Sequence, residues 1–215
     1  MHQEFDAFVF DMDGTLLDSA ADLVDTTNAT MEHFGFPTHT TEAVLGMVGN
    51  GLRSLILQAL PQGLDEEATD KAVSYWKAVY DEHGDEKTHA YTGVIDMLRE
   101  LKARGKKLAV LSNKYDRGVQ QLSKAYFGEL MDFSLGEGPV PRKPDPAGLL
   151  LVAKTLGVPI DRVAYSGDSD TDIQVAHNAG AFAIGVSWGY QPRERVMAAK
   201  PDAMVDEPAQ LLDFA

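Results

Sequence analysis

Phe5-Asp6-Ala7-Phe8-Val9-Phe10-Asp11-Met12-Asp13-Gly14-Thr15-Leu16-Leu17-Asp18 is the stretch on which the reading of this chain turns. Residues 5–10 form a short aromatic and β-branched run that predicts a buried strand. Asp11 and Asp13 follow it two residues apart, so both side chains can point into one site beyond the strand end. Gly14 then lets the chain turn sharply away. Two carboxylates about 4 Å apart repel by roughly 4 kcal/mol at an effective dielectric of about 20. Such a pair needs a cation, a shared proton or a reaction that uses both groups. An EF-hand loop also begins D-x-D, but it requires Gly at its sixth position and Glu at its twelfth. Counted from Asp11, those places hold Leu16 and Asp22, so that reading fails.

The rest of the composition narrows the class. At 215 residues the chain fits one large domain or a domain carrying an insert. A hydrophobic fraction of 44% is ordinary for a protein with a buried core. The absence of cysteine excludes disulfides and thiolate metal sites and suits a reducing compartment, so a cytoplasmic location is expected. No basic-then-apolar leader and no apolar run of membrane-spanning length is seen, and no membrane partner is expected. A net charge of −14 argues against a nucleic-acid partner. An acidic protein that handles an anion must gather positive charge locally, from a metal ion, lysines or helix N-termini.

Along the chain two patterns succeed each other. Ala20, Leu23, Val24, Thr27, Met31 and Phe34 recur at helical spacing, and Gly35 ends the run. A short helix is expected over 41–48, broken by Gly49-Asn50-Gly51, and another apolar helical face runs from Leu52 to Leu60. Asp65 reads as the cap of a further helix whose face is Ala68, Ala72, Tyr75, Trp76 and Val79. Tyr75, Trp76 and Tyr80 read as core of this helical segment. From Thr92 onward helices alternate with strands at 108–111, 133–135, 163–165, 183–186 and 204–205. That alternation predicts an α/β fold, an open parallel sheet with helices on both faces. Ligands in such sheets bind beyond the carboxyl ends of the strands. The unusual polar segments lie at those ends: Ser112-Asn113-Lys114, Arg142-Lys143-Pro144-Asp145 and Gly167-Asp168-Ser169-Asp170-Thr171-Asp172. The histidines, from His2 to His177, show no metal-ligand spacing and are given no role.

Taken together, Asp11-Met12-Asp13-Gly14-Thr15, Ser112, Lys143 and Gly167-Asp168 to Asp172 resemble, in order and spacing, the four motifs of the haloacid dehalogenase-like superfamily. The resemblance spans nearly the whole chain. It implies a Rossmann-like catalytic core over 1–16 plus 87–215 and an inserted α-helical cap domain over 17–86. Asp18-Ser19, Val48 to Leu52, Ser112-Asn113-Lys114, Lys143-Pro144-Asp145-Pro146, Asn178-Ala179-Gly180 and Trp188-Gly189-Tyr190 look most like the phosphoglycolate phosphatase-like subfamily. Ser112 stands where that pattern usually has threonine.

The resemblance implies a Mg²⁺-dependent phosphatase acting on a small phosphorylated metabolite, with 2-phosphoglycolate the expected substrate and an aspartyl-phosphate intermediate. Asp11 is the expected nucleophile and Asp13 the acid and base. Asp11, the carbonyl of Asp13, Asp168 and Asp172 are the expected metal site, with Asp170 the rival of Asp172, which also reads as a helix N-cap. Ser112, Asn113 and Lys143 are expected to bind the phosphoryl group or orient its surroundings. Gly51 and Arg53, at the start of a cap helix, are expected to meet the rest of the substrate. Lys114 and Arg142 are read as either extending the positive field or lying in solvent. Two alternatives stand beside this reading, a phosphomutase of the β-phosphoglucomutase type and a non-catalytic phosphate-accepting signalling module. The protein is expected as a monomer or homodimer.

Overall fold

The computed structural model describes residues 4–215; His2 and the first residues of the expected core segment lie outside the described residues. Six parallel strands form one sheet in the order β5-β4-β1-β6-β7-β8. They are β1 (Ala7–Phe10), β4 (Lys107–Tyr115), β5 (Phe133–Glu137), β6 (Val163–Gly167), β7 (Phe182–Val186) and β8 (Ala203–Val205). β1 lies between β4 and β6, hydrogen-bonded to both, and all four of its residues are buried. A strand covered on both faces reads as a continuous apolar run. Phe8 and Phe10 face one cluster with Leu108, Val110, Leu98 and Leu101, while Ala7 and Val9 face the other with Ala109, Leu149, Val152 and Ile173. Each fully buried Phe here contributes on the order of 1.5–3 kcal/mol from area alone.

Helices α5 (Val94–Ala103) and α6 (Asp116–Leu122) supply the first face; α7 (Ala147–Leu156), α8 (Asp170–Ala179) and α9 (Arg193–Ala198) supply the second. The chain runs outward through β4 and β5 on one side of β1, then restarts at β6 on the other. The direction of travel therefore reverses between β1 and β6. A crevice opens at such a point, beyond the carboxyl ends of the strands.

The helical segment comes between β1 and β4. It consists of α1 (Ala20–His33), α2 (Thr41–Met47), α3 (Leu52–Ala59) and α4 (Glu66–His83). Asp65 caps α4 as expected, its side chain accepting from the Ala68 N–H. These helices bury their own cluster around Met31, Ile56, Ala72, Trp76 and Tyr80, joined by Tyr115 from the end of β4. Trp76 and Tyr80 stack with centroids 4.7 Å apart, and the Trp76 indole N–H donates to Thr27. Tyr75 instead lies at the surface side, stacked on His33.

Two features differ from the sequence reading. The chain enters and leaves the helical segment through two-residue strands, β2 (Leu17–Asp18) and β3 (His89–Ala90), which pair antiparallel. Strands this short carry no periodic signal. β4 also continues four residues past Leu111, through Ser112, Asn113 and Lys114 to Tyr115. The register jumps from Leu111–Leu135 to Tyr115–Glu137, so those three polar residues face the single residue Gly136. A Cβ at Gly136 would run into the backbone of Lys114 and Asp116. The bulge re-aims each side chain separately, a device common next to ligand sites.

Candidate active site

The turn after β1 is fixed by its backbone. The Asp11 N–H still donates to the Ser166 carbonyl of β6 at 2.9 Å, so the ladder holds Asp11 in place. The Met12 carbonyl then accepts from the N–H groups of Thr15, Leu16 and Leu17, and the Gly14 N–H donates back to Leu17. Gly14 has φ +83°, and a Cβ there would strike the Asp168 carboxylate. A Cβ at Gly189 would strike Asp168 from the other side. Glycine at both positions lets backbone close around that carboxylate.

Asp11, Asp168 and Asp172 converge, with one oxygen of each within 4.8 Å of the others. Lys143 lies beneath them. Its ammonium is 3.0 Å from Asp11 Oδ1 and 2.7 Å from Asp172 Oδ1, and it donates to the Tyr165 hydroxyl at 2.9 Å. All three of its protons are thus engaged. Burial disfavours the Lys143 charge, but Asp11 and Asp172 outweigh it and hold the ammonium above its ordinary range. Burial pushes the Asp11 carboxyl up to about 6, reinforced by Asp172 and Asp13 and opposed by Lys143 and the Met12 N–H. Burial, then Asp172 and Asp11, push Asp168 up to about 8.

Asp172 is both N-cap partner and site residue. Ser169 caps α8 and Asp172 is its third residue, each side chain bonding the other's backbone N–H. Asp172 Oδ2 accepts from the Ser169 N–H at 3.0 Å and hydroxyl at 2.6 Å, while Oδ1 faces Lys143 and, at 3.1 Å, Tyr165. Three protein donors thus hold Asp172, with Tyr165, whose single proton also faces the Leu111 carbonyl at 2.9 Å, as a fourth contact. Asp170 is turned away, paired with Arg195 at 3.1 Å.

Asp13 faces the opposite wall of the cleft. Its carboxylate accepts from the Ser19 hydroxyl at 2.6 Å and from the Lys114 ammonium at 3.1 and 3.2 Å. Tyr190 completes the group, accepting from the Ser19 N–H at 2.8 Å with its hydroxyl 3.0 Å from Ser19 Oγ. Ser112 lines the cleft, its Oγ accepting from the Lys114 N–H at 3.3 Å. Asn113 is committed to backbone: it accepts from the Lys143 N–H and donates to the carbonyls of Lys143 and Gly49. Arg142 donates to the Asn50 carbonyl at 2.9 Å. These contacts tie the sheet end to the turn before α3, and the helical segment covers the cleft.

Asp11, Asp13, Ser112, Asn113, Asp168 and Gly51 all line that cleft, whose volume is about 700 Å³ with its open mouth included. Gly51 has φ +80°, and a Cβ there would press on Glu137. Arg53 is the exception. It is 45% exposed at the surface, paired with Asp70 of α4, and does not line the cleft. The expectation that it meets substrate finds no support in this geometry. The first turn of α3 points Leu52 and Leu55 inward and Arg53 outward.

The sequence reading gave Lys114 an even choice and no role to Ser19, Thr15, Tyr165, Ser169 or Tyr190. Thr15 donates to Asp168 Oδ1 at 3.2 Å, and the Tyr190 N–H donates to Oδ2 at 2.7 Å. Ser19 and Tyr190 lay within segments already singled out for their resemblance, which was the available signal.

The donor set suits a divalent cation. Four buried or nearly buried carboxylates (Asp11, Asp13, Asp168 and Asp172) face two ammonium groups, Lys114 and Lys143. With all four ionised, the deficit is two positive charges. Asp11 and Asp168 are displaced upward first by burial and then by their neighbouring carboxylates. An all-oxygen set fits Mg²⁺ better than a softer metal.

Comparison with known proteins places the chain. Residues 8–186 match the family model described as haloacid dehalogenase-like hydrolase. The chain is 33% identical over 212 residues to a phosphoglycolate phosphatase of Pseudomonas syringae pv. tomato, covering 95% of this chain and 77% of that protein. It is 34% identical over 216 residues to a phosphoglycolate phosphatase of Psychrobacter arcticus, covering 96% and 94%. A crystal structure described as a predicted phosphoglycolate phosphatase from Haemophilus somnus superposes with a TM-score of 0.91 at 29% identity, over 97% of both chains.

Proposed function

The chain belongs to the haloacid dehalogenase-like hydrolase family, and from that premise we propose a Mg²⁺-dependent phosphatase that hydrolyses 2-phosphoglycolate through a phosphorylated Asp11. The observation that carries the mechanism is the asymmetry of Asp11. Its Oδ1 accepts from the Met12 N–H at 2.8 Å and faces Lys143, while Oδ2 has no hydrogen-bond partner among the described residues. Oδ2 is the oxygen left to attack phosphorus. The substrate assignment rests on the names of the relatives and on a cleft whose outer wall is apolar.

Asp11 Oδ2 forms the new bond to phosphorus as the bond to the alcohol oxygen breaks. The electron pair leaves on that oxygen, which takes a proton from Asp13. Asp13 then removes a proton from water, whose oxygen attacks phosphorus and releases Asp11. Lys143 keeps Asp11 ionised and offsets charge at the phosphoryl group, and the Ser112 hydroxyl donates to one of its oxygens. Asp11 and Asp168 would hold the metal directly, with the Asp13 carbonyl, and Asp172 supports the site through Lys143. The metal, when bound, supplies further charge neutralisation for the phosphoryl oxygens.

The test is phosphate release from 2-phosphoglycolate, hexose phosphates, nucleoside monophosphates, pyrophosphate and p-nitrophenyl phosphate, with Mg²⁺ and with excess chelator. Metal-dependent multiple turnover with 2-phosphoglycolate preferred is the expected result. Absence of phosphate release from every ester contradicts the reading. Transfer of the phosphoryl group between sugar hydroxyls would replace it with a mutase.

A further inference from the structure

Among the described residues that line the cleft, Lys114 alone carries a positive charge. Lys143 is spent beneath Asp11, Arg53 pairs with Asp70, and Arg142 holds the Asn50 carbonyl. The bulge in β4 carries Lys114 to the cleft, where its side chain is only 4% exposed. The ammonium touches both oxygens of Asp13 and lies over the Tyr80 ring, 4.3 Å from its centroid. The same cleft is lined by Leu23, Leu45, Val48, Leu52, Leu55 and Trp76, which offer almost no polar atoms.

An ammonium placed in such surroundings is costly unless an anion meets it. Asp13 supplies one. A second position follows from covalent chemistry, given the reading above in which Asp13 protonates the leaving oxygen. That oxygen must lie within hydrogen-bond reach of Asp13, so the alcohol begins beside the Lys114 ammonium. In the phosphate ester of an α-hydroxy acid, one carbon separates this oxygen from the carboxylate. The carboxylate then falls next to the same ammonium. A hexose or nucleoside ester presents no anion there to pair with the ammonium.

We propose that Lys114 is the specificity residue of the cleft, binding the carboxylate of an α-hydroxy-acid phosphate beside the oxygen that Asp13 protonates. It replaces Arg53 in the role first expected of the cap. The proposal rests on the phosphatase reading, and the experiment separates the two.

Steady-state kinetics would be measured for the wild type, Lys114→Met and Lys114→Arg on 2-phosphoglycolate and on ethyl phosphate, which has the same phosphoryl group and alcohol oxygen without the carboxylate. The wild type should prefer 2-phosphoglycolate. Lys114→Met should cut that preference by about tenfold to a hundredfold, the range of a charge-assisted hydrogen bond, mainly through KM for the acid. Lys114→Arg should keep most of it. An equal loss on both esters would overturn the proposal, leaving Lys114 as a support for Asp13. Circular dichroism checks each fold; if Lys114→Met does not fold, Lys114→Gln takes its place. Equal kcat/KM of the wild type on the two esters also overturns it. A wild type inactive on every ester removes the phosphatase premise, and the proposal with it.

Discussion

Asp11 divides its oxygens between two tasks, one bound to Lys143 and the Met12 N–H, the other left open. Asp11→Asn keeps the shape and removes the proposed nucleophile, so turnover should fall by roughly 10³-fold or more, read by phosphate release. Asp13→Asn should cost about 10²- to 10⁴-fold, as loss of an acid and base does. Lys143→Met leaves Asp11 and Asp172 buried without their common partner. Breaking a buried pair in this way typically costs about 3–5 kcal/mol, so urea unfolding should show a clear drop in midpoint. An unchanged midpoint would deny Lys143 its structural share. Asp11, Asp13, Lys143 and Asp168 were legible in the sequence because their motifs stand in order at strand ends. Lys114 and Arg53 were not, because the choice between them depends on which way a side chain leaves its element. Arg53 lies next to Leu52, and burial of Leu52 and Leu55 turns it outward to Asp70.

At the scale of elements, the end of β4 does more than a strand usually does. Its bulge sends Ser112 and Lys114 to the cleft and Asn113 to the backbone of Lys143 and Gly49. Asn113→Ala would orphan the buried Lys143 N–H and loosen the turn before α3. A cost of about 1–3 kcal/mol in urea unfolding is expected, with a fall in kcat/KM larger than in kcat. Ser169→Ala should cost about 0.5–2 kcal/mol as a lost N-cap and remove one of the two donors to Asp172 Oδ2. The helices and central strands were legible from their periods and caps. The pair β2–β3 and the continuation of β4 were not, since two residues show no period and Ser-Asn-Lys reads as a loop.

For the whole molecule, the site and the fold share one electrostatic balance. Asp11 and Asp168 sit at about 6 and about 8 in the folded chain, above the 3.8 of an ordinary aspartate. The folded state thus holds more protons than the unfolded one between these values. Stability of the metal-free protein should fall as pH rises from about 4 to about 8. Mg²⁺ bound there would displace those protons, so its stabilising effect on Tm should grow over the same range and shrink in Asp168→Asn. Thermal melts with Mg²⁺ and with chelator, at several pH values, check the sign; an effect of Mg²⁺ that weakens with rising pH would contradict it. The sheet order that joins β1 to β6 brings Asp11 and Asp168 together, a convergence the strand alternation implied but only the topology fixes. The most direct test of the central claim is mass spectrometry of the protein quenched in acid during turnover of 2-phosphoglycolate with Mg²⁺. The account predicts one added phosphoryl group on the peptide that contains Asp11, absent in Asp11→Asn. Full turnover with no such adduct, or an adduct that persists in Asp11→Asn, would contradict it.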